Sequence, residues 1–127
     1  MDADLDCPFC TLPSDRVVAE DDLVAVIRDA YPVSNGHTLI IPKRHVANGF
    51  DLSQMEWSAI REALVRSRDE LDRLHKPDGY NIGINVGEAA GQTVFHVHVH
   101  LIPRYRGDVD LPRGGVRNVI PGAGNYG

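Results

Sequence analysis

His96, His98 and His100 stand at alternate positions, separated by Val97 and Val99 and followed by Leu101. Imidazole changes charge nearest neutral pH, so such a set can supply a nucleophile and acid–base groups, or hold a metal. Alternation of polar and β-branched apolar residues predicts a strand whose successive side chains point to opposite faces. Val97, Val99 and Leu101 are then expected in the core, with the three imidazoles together on the other face. Neighbours on that face lie roughly 6.5–7 Å apart along the backbone, from the rise per residue of a strand. Adjacent imidazoles at this spacing can converge on one ion, but three in a row do so poorly. Leu101 also stands where a metal hydrolase would carry a further ligand. A central His98 supported by its neighbours fits nucleophilic chemistry, and metal binding stays open. Cys7 and Cys10, flanking Pro8-Phe9, are half a zinc site, a redox pair or two packed thiols.

The elements that must position these residues are legible around them. Arg16 to Glu20 and Leu23 to Arg28 read as two strands of a hairpin turning at Glu20-Asp21-Asp22. Asp29 to Gly36, with Pro32, Asn35 and Gly36, is turn chemistry. His37 to Pro42 is a third, largely apolar strand that ends at its proline and gives way to the loop Lys43-Arg44-His45. Ser53 and Glu56 form a capping box for one long helix, Gln54 to about His75, stopped by Pro77 and Gly79. Trp57, Ile60, Leu64, Leu71 and Leu74 are its expected apolar stripe. Arg61, Glu62, Arg66, Arg68, Asp69 and Glu70 are its solvated face. Tyr80 to Val86 alternates again, with Tyr80, Ile82, Ile84 and Val86 toward the core and Asn81, Gly83 and Asn85 opposite. The short link Gly87 to Gln92 returns the chain antiparallel into the histidine strand, which sets Asn85 beside the imidazoles. The sum is an α+β domain: an antiparallel sheet of about five strands with one long helix on its apolar side. A free sheet edge in so small a domain invites pairing with a second copy.

A chain of 127 residues, 43% hydrophobic, supports a single domain over 1–127 with its own core. Its formal charge of −5 argues against a general nucleic-acid binder. No apolar run reaches membrane-spanning length and the acidic N-terminus has no leader pattern, so a cytoplasmic protein without membrane association is expected. Met1 to Asp6 is expected to fray. Residues 108–127 form a Gly/Pro/Arg-rich tail that reads equally as ordered on contact or disordered. Arg104, Arg106, Arg113 and Arg117 concentrate positive charge near the C-terminal end, suiting either a phosphate-bearing small substrate or plain surface.

The run His96-Val97-His98-Val99-His100-Leu101-Ile102 resembles the motif of the histidine triad (HIT) nucleotide-binding family, and the likeness covers nearly the whole chain. It extends through Cys7-Pro8-Phe9-Cys10, Val24 to Asp29, Gly36-His37, Ile41-Pro42-Lys43-Arg44-His45, the long helix, Asn85-Val86-Gly87 and Gly91-Gln92-Thr93. The resemblance implies the HIT fold, a homodimer formed through the helix and a sheet edge, and nucleotidyl transfer at an α-phosphorus. His98 matches the nucleophile that carries a covalent nucleotidyl intermediate, oriented by the backbone carbonyl of His96. His100, Gln92, Thr93 and Asn85 match residues that hold phosphate oxygens or the leaving group, and His37 a histidine beside them. Asp29 matches the residue that binds the ribose hydroxyls, while Ile27 would line the base slot. Cys7, Cys10, His45 and His96 match the ligands of the family's zinc-bearing branch, which implies a structural zinc.

The substrate branch is mixed. Gly91-Gln92-Thr93, Pro103-Arg104 and Gly107-Asp108 resemble the fragile-histidine-triad branch, which cleaves dinucleoside polyphosphates. Asn85 and Lys43-Arg44-His45 resemble instead the branch that cleaves nucleoside phosphoramidates such as adenylated lysine. Gly114 to Pro121 is similar to bacterial members labelled diadenosine tetraphosphate hydrolases. The C-terminal arginines favour the polyphosphate, releasing a nucleoside monophosphate. A non-catalytic nucleotide-binding or adaptor protein is the alternative.

Overall fold

The structure is a computed structural model and describes residues 4–126. The expected fraying of Met1–Asp6 lies partly outside this range. Asp4 and Asp6 form a turn in which the Cys7 N–H donates to the Asp4 carbonyl at 3.0 Å. Five strands, β1 (Val17–Glu20), β2 (Val24–Arg28), β3 (Thr38–Pro42), β4 (Gly79–Ile84) and β5 (Val99–Arg104), form one sheet in the order β1-β2-β3-β5-β4. Each neighbouring pair is antiparallel. The helix α1 spans Gln54–His75 and packs across β2 and β3.

The capping box is formed. Ser53 Oγ accepts from the Glu56 N–H at 3.1 Å, and Glu56 returns a carboxylate oxygen to the Ser53 N–H at 2.8 Å. The same carboxylate takes two hydrogen bonds from Arg44, which is why Glu56 can lie buried and why its pKa is lowered. The loop carrying His45 is thereby tied to the start of α1.

Ile60 and Leu71 are buried as expected, and the rest of the buried stripe of α1 is the smaller or polar set Glu56, Ala59, Ala63 and Ser67. Leu64 is partly buried, whereas Trp57 and Leu74 are 40% and 56% exposed. Small residues at 59, 63 and 67 let the helix lie close to the sheet, which turns the bulky positions outward.

Two strand limits also differ from expectation. β4 stops at Ile84, and because it is an edge strand that α1 does not cover, Ile82 is 53% exposed rather than in the core. β5 begins only at Val99, because the Val97 N–H donates to the Val46 carbonyl at 2.8 Å instead of joining the sheet. Val97, Val99 and Leu101 are buried as expected.

The tail is ordered by its own contacts. Gly114, at φ 87°, faces Gly124 so closely that a Cβ would stand 2.6 Å from the Gly124 Cα. Arg113 and Arg117 both lie 4.4 Å from the ring centre of Tyr126. A short 3-10 turn, Gly115–Val119, lies against the polar face of β4 and β5.

Candidate active site

Backbone groups set the tautomer of each neutral imidazole in turn. A backbone N–H can only donate and a carbonyl only accept. The Val33 N–H meets His37 Nδ1 at 3.1 Å, so that nitrogen is bare and Nε2 carries the proton. His37 Nε2–H then donates to His100 Nδ1 at 2.9 Å, which leaves the His100 proton on Nε2. His98 Nδ1–H donates to the His96 carbonyl at 2.9 Å, so its Nε2 lone pair is free. His96 donates from Nε2 to the Pro42 carbonyl at 2.7 Å and leaves Nδ1 bare.

Burial favours the neutral forms of His37, His96 and His100. Desolvation pushes the His100 pKa down to about 4, with His98 and His37 adding to the shift and Asp29 opposing it. Burial also lowers the pKa values of His37 and His96. At pH 7 His100 is therefore a hydrogen-bond donor and not a cation.

The three triad imidazoles do not share one open face. His98 and His100 line a cavity of about 410 Å³, with Asn85 and Thr93 on its rim. Asp29 lines the cavity beside His100, its carboxylate 3.4 Å from His37 Nε2 and accepting from the Tyr31 N–H at 2.8 Å. Phe9, Leu39 and Val94 supply apolar wall. Ile27 lies beneath that wall, fully buried with Leu39 and Ile41. Gln92 is buried too, its amide bonded to the backbone of Gly87, Ala47 and Val94, and it braces the loop before the triad.

Phe9, Arg16 and Tyr31 also line this cavity, a place the sequence alone does not assign them. Phe9 packs edge-on to His98 with ring centres 5.1 Å apart. Its position between Cys7 and Cys10 was the available signal, because whatever fixes the two sulfurs also fixes the residues between them. Arg16 is held at the rim by donating to the Arg28 carbonyl at 3.0 Å.

His96 belongs to a different cluster, in which it and Cys7 are buried and Cys10 and His45 are half-buried. Its bare Nδ1 lies 3.5 Å from each sulfur, and His45 Nδ1 lies 3.1 Å from Cys10 Sγ. A tetrahedral zinc with Zn–S of about 2.3 Å and Zn–N of about 2.0 Å sets sulfur and nitrogen roughly 3.5 Å apart. The donor set and its spacing fit that ion, and the Pro42 carbonyl fixes the imidazole as a metal ligand requires. These four residues form a structural zinc site. It has no open ligand position and it ties the N-terminal turn to the segment that bears His98.

The model of the HIT domain matches residues 13–107. The chain belongs to the HIT family. A HIT family protein from Bacillus anthracis, solved by crystallography, is 39% identical, with 84% of this chain and 77% of that one covered at a TM-score of 0.76. A Zn-bound histidine triad family protein from Mycobacterium smegmatis is 38% identical, covering 80% and 77% at a TM-score of 0.72. The AP-4-A phosphorylase of Mycobacterium tuberculosis is 33% identical over 82% of this chain and 56% of its own length. The five-stranded antiparallel sheet with its single long helix is the HIT fold expected from sequence. Among the described residues, no helix is long and apolar enough to cross a membrane.

Proposed function

We propose that this HIT protein hydrolyses nucleotides at the α-phosphorus through a covalent nucleotidyl-His98 intermediate. The observation that carries this reading is the bare Nε2 of His98, aimed by the His96 carbonyl, in a cavity that also holds the Asp29 carboxylate. Asp29 is suited to accept from ribose hydroxyls, with the base resting against the apolar wall of Leu39, Phe9 and the layer that Ile27 supports. His98 Nε2 forms a bond to phosphorus as the bond to the leaving atom breaks. That atom departs with the electron pair and takes a proton from solvent. Water then attacks phosphorus, the pair returns to Nε2, and a nucleoside monophosphate is released. His100 Nε2–H and Thr93 donate to the phosphate oxygens, and Asn85 to the leaving atom.

Dinucleoside polyphosphates are supported as substrates by the mycobacterial relative named AP-4-A phosphorylase. Nucleoside phosphoramidates are supported by the engagement of the C-terminal arginines elsewhere. Arg104 is bonded twice to Asp108 and once to Asn81, and Arg113 and Arg117 stack on Tyr126. The Zn-bound mycobacterial relative supports zinc in the Cys7–Cys10–His45–His96 site, where it would hold the fold together and take no part in the reaction. A homodimer is supported by the uncovered edge of β4 beside the exposed Trp57, Val65 and Ile82. Incubation with diadenosine tetraphosphate and with an adenosine 5′-phosphoramidate, followed by chromatography for AMP, tests the activity. No AMP from either, with no nucleotidyl adduct on His98 by mass spectrometry, refutes it and favours the non-catalytic binding protein.

A further inference from the structure

Arg16 lines the nucleotide cavity at the end away from the triad, and the strand order sets the distance. His98 leads into β5 and His100 lies on it, Leu39 is on β3, Asp29 follows β2 and Arg16 precedes β1. β5 and β1 are three places apart in the sheet, roughly 14 Å at the spacing of neighbouring strands. A nucleotide whose α-phosphorus meets His98 and whose ribose meets Asp29 therefore lays its base toward β1. Leu39, Phe9 and Pro8 offer apolar surface to the faces of that ring. Among the described residues that line the cavity, Arg16 is the sole arginine or lysine.

The sheet itself holds the guanidinium in place. The β1–β2 ladder ends at the pair Val17–Ile27, so Arg28 lies one residue beyond it. The Asp29 N–H donates toward β3, to the His37 carbonyl at 2.9 Å. Successive residues of a strand turn their hydrogen-bonding groups to opposite sides, so the Arg28 carbonyl faces the empty lane beyond β1. Arg16 fills that lane and donates one N–H to the carbonyl at 3.0 Å. A guanidinium carries five N–H groups in a rigid fork and accepts nothing. Among the described residues, its other N–H groups meet no partner and no carboxylate forms an ion pair with it. Arg104, by contrast, is neutralised by Asp108 at 2.7 Å.

A fixed set of donors without an acceptor discriminates between purines. Guanine presents two adjacent acceptors, N7 and O6, on one edge, whereas adenine sets an N6 amino donor beside its N7. That amino group would turn its hydrogens toward the N–H groups of Arg16, so only a 6-oxo base can take both arms of the fork. We propose that Arg16 is a specificity-determining residue that reads O6 and N7 of the base, so that this protein prefers guanine and hypoxanthine nucleotides to adenine nucleotides. This rests on the nucleotide cavity and the His98 reading above, and adds the identity of the base to them.

Calorimetric titration of the wild-type protein with GMP, IMP, 7-deaza-GMP and AMP tests this. GMP and IMP should bind at least about fivefold more tightly than AMP, the lower end of what a bidentate arginine–guanine pair supplies. 7-Deaza-GMP keeps O6 and lacks the N7 acceptor, so its affinity should fall between those of GMP and AMP. Arg16→Met keeps an aliphatic stem and removes the fork, and should bring the ratio of GMP to AMP affinity to about one. Arg16→Lys, which keeps the charge without the fork, should lower the ratio as well. Equal affinities for GMP and AMP in the wild type, or a wild-type ratio in Arg16→Met, would overturn the assignment while leaving the cavity a nucleotide site. IMP binding like AMP would also overturn it, by giving the selection to the 2-amino group. So would an Arg16→Met chain that loses both nucleotides in equal proportion, which would make Arg16 a cover for any base. No binding of any of the four would overturn both this assignment and the nucleotide reading beneath it.

Discussion

His37 and His100 face one another across 2.9 Å, and the direction of the hydrogen bond between them is set from outside the pair. The Val33 N–H occupies His37 Nδ1, so His37 must donate and His100 must accept. His100 thus presents a proton and not a lone pair to the cavity, and burial prevents it from carrying a second proton at neutral pH. In the proposed reaction His37 would act through His100, as a positioning residue. His37→Ala should lower kcat by about 10-fold, less than the roughly 10²- to 10⁴-fold of a group that itself transfers the proton. KM should change little, and His37→Gln, which keeps a donor, should recover part of the loss. Equal falls in kcat and in folded-state stability, with no recovery by Gln, would reduce His37 to packing.

The nucleophile is tested more directly. His98→Ala or His98→Asn should reduce turnover by about 10³-fold or more, the scale seen when a covalent catalyst is removed. Nucleotide binding should persist, because Asp29, Leu39 and Phe9 are untouched. Calorimetry with AMP and a turnover assay on the same preparation read both quantities. Either variant turning over at the wild-type rate would exclude His98 as nucleophile.

How far the sequence foretold these arrangements depended on range. The α1 capping box, the limits of that helix and the core positions of Val97, Val99 and Leu101 follow from local periodicity, and they stand. The separation of His96 from His98 was not readable from the alternation alone. It arises because the Val97 N–H bonds to Val46 and because His96 bonds to Pro42, both distant in sequence. Within the stripe of α1, Ile60 and Leu71 stand, while Trp57 and Leu74 turn outward because close packing rewards small residues such as Ala63 and hydrophobicity alone points to Trp57. The arginines of the tail offered charge, and their partners Asp108 and Tyr126 became visible only with the fold.

Zinc should be present at about one equivalent per chain in protein purified without chelator, as emission spectroscopy would measure. Binding to the folded state alone stabilises by mass action, so a strong chelator should lower the melting temperature. Cys10→Ser should weaken zinc retention and, by loosening Phe9 and the His96 carbonyl, weaken AMP binding as well. Less than half an equivalent of zinc would sink the assignment.

Acid should weaken the fold through its buried histidines. The His100 pKa is about 4 in the folded chain and roughly 6.5 when unfolded. Between those values the unfolded chain takes up a proton that the folded chain refuses. Stability therefore falls as pH drops from about 6.5 toward 4, with the loss complete below the folded value. His37, also lowered by burial, acts in the same direction. Thermal melts at pH 7.5, 6 and 5 should fall in that order, and a His37→Asn, His100→Asn double variant should fall less steeply. An unchanged slope in the double variant would assign the acid sensitivity elsewhere, the zinc ligands included.

The edge of β4 offers the last test. Its outer side carries hydrogen-bonding groups that no strand of the same chain meets, and Ile82 stands 53% exposed on it. Val65 and Trp57 extend that apolar surface onto α1, at 39% and 40% exposed. An edge of this kind is covered in stable proteins, and a second copy running antiparallel would cover both the strand and the helix face. Light scattering should give twice the 14.0 kDa chain mass. Ile82→Asp, which puts a charge at the centre of the contact, should shift the protein toward monomer. A monomeric wild-type protein at micromolar concentration would mean that β4 is protected by its twist and by the Tyr80–Asp72 hydrogen bond of 2.6 Å instead.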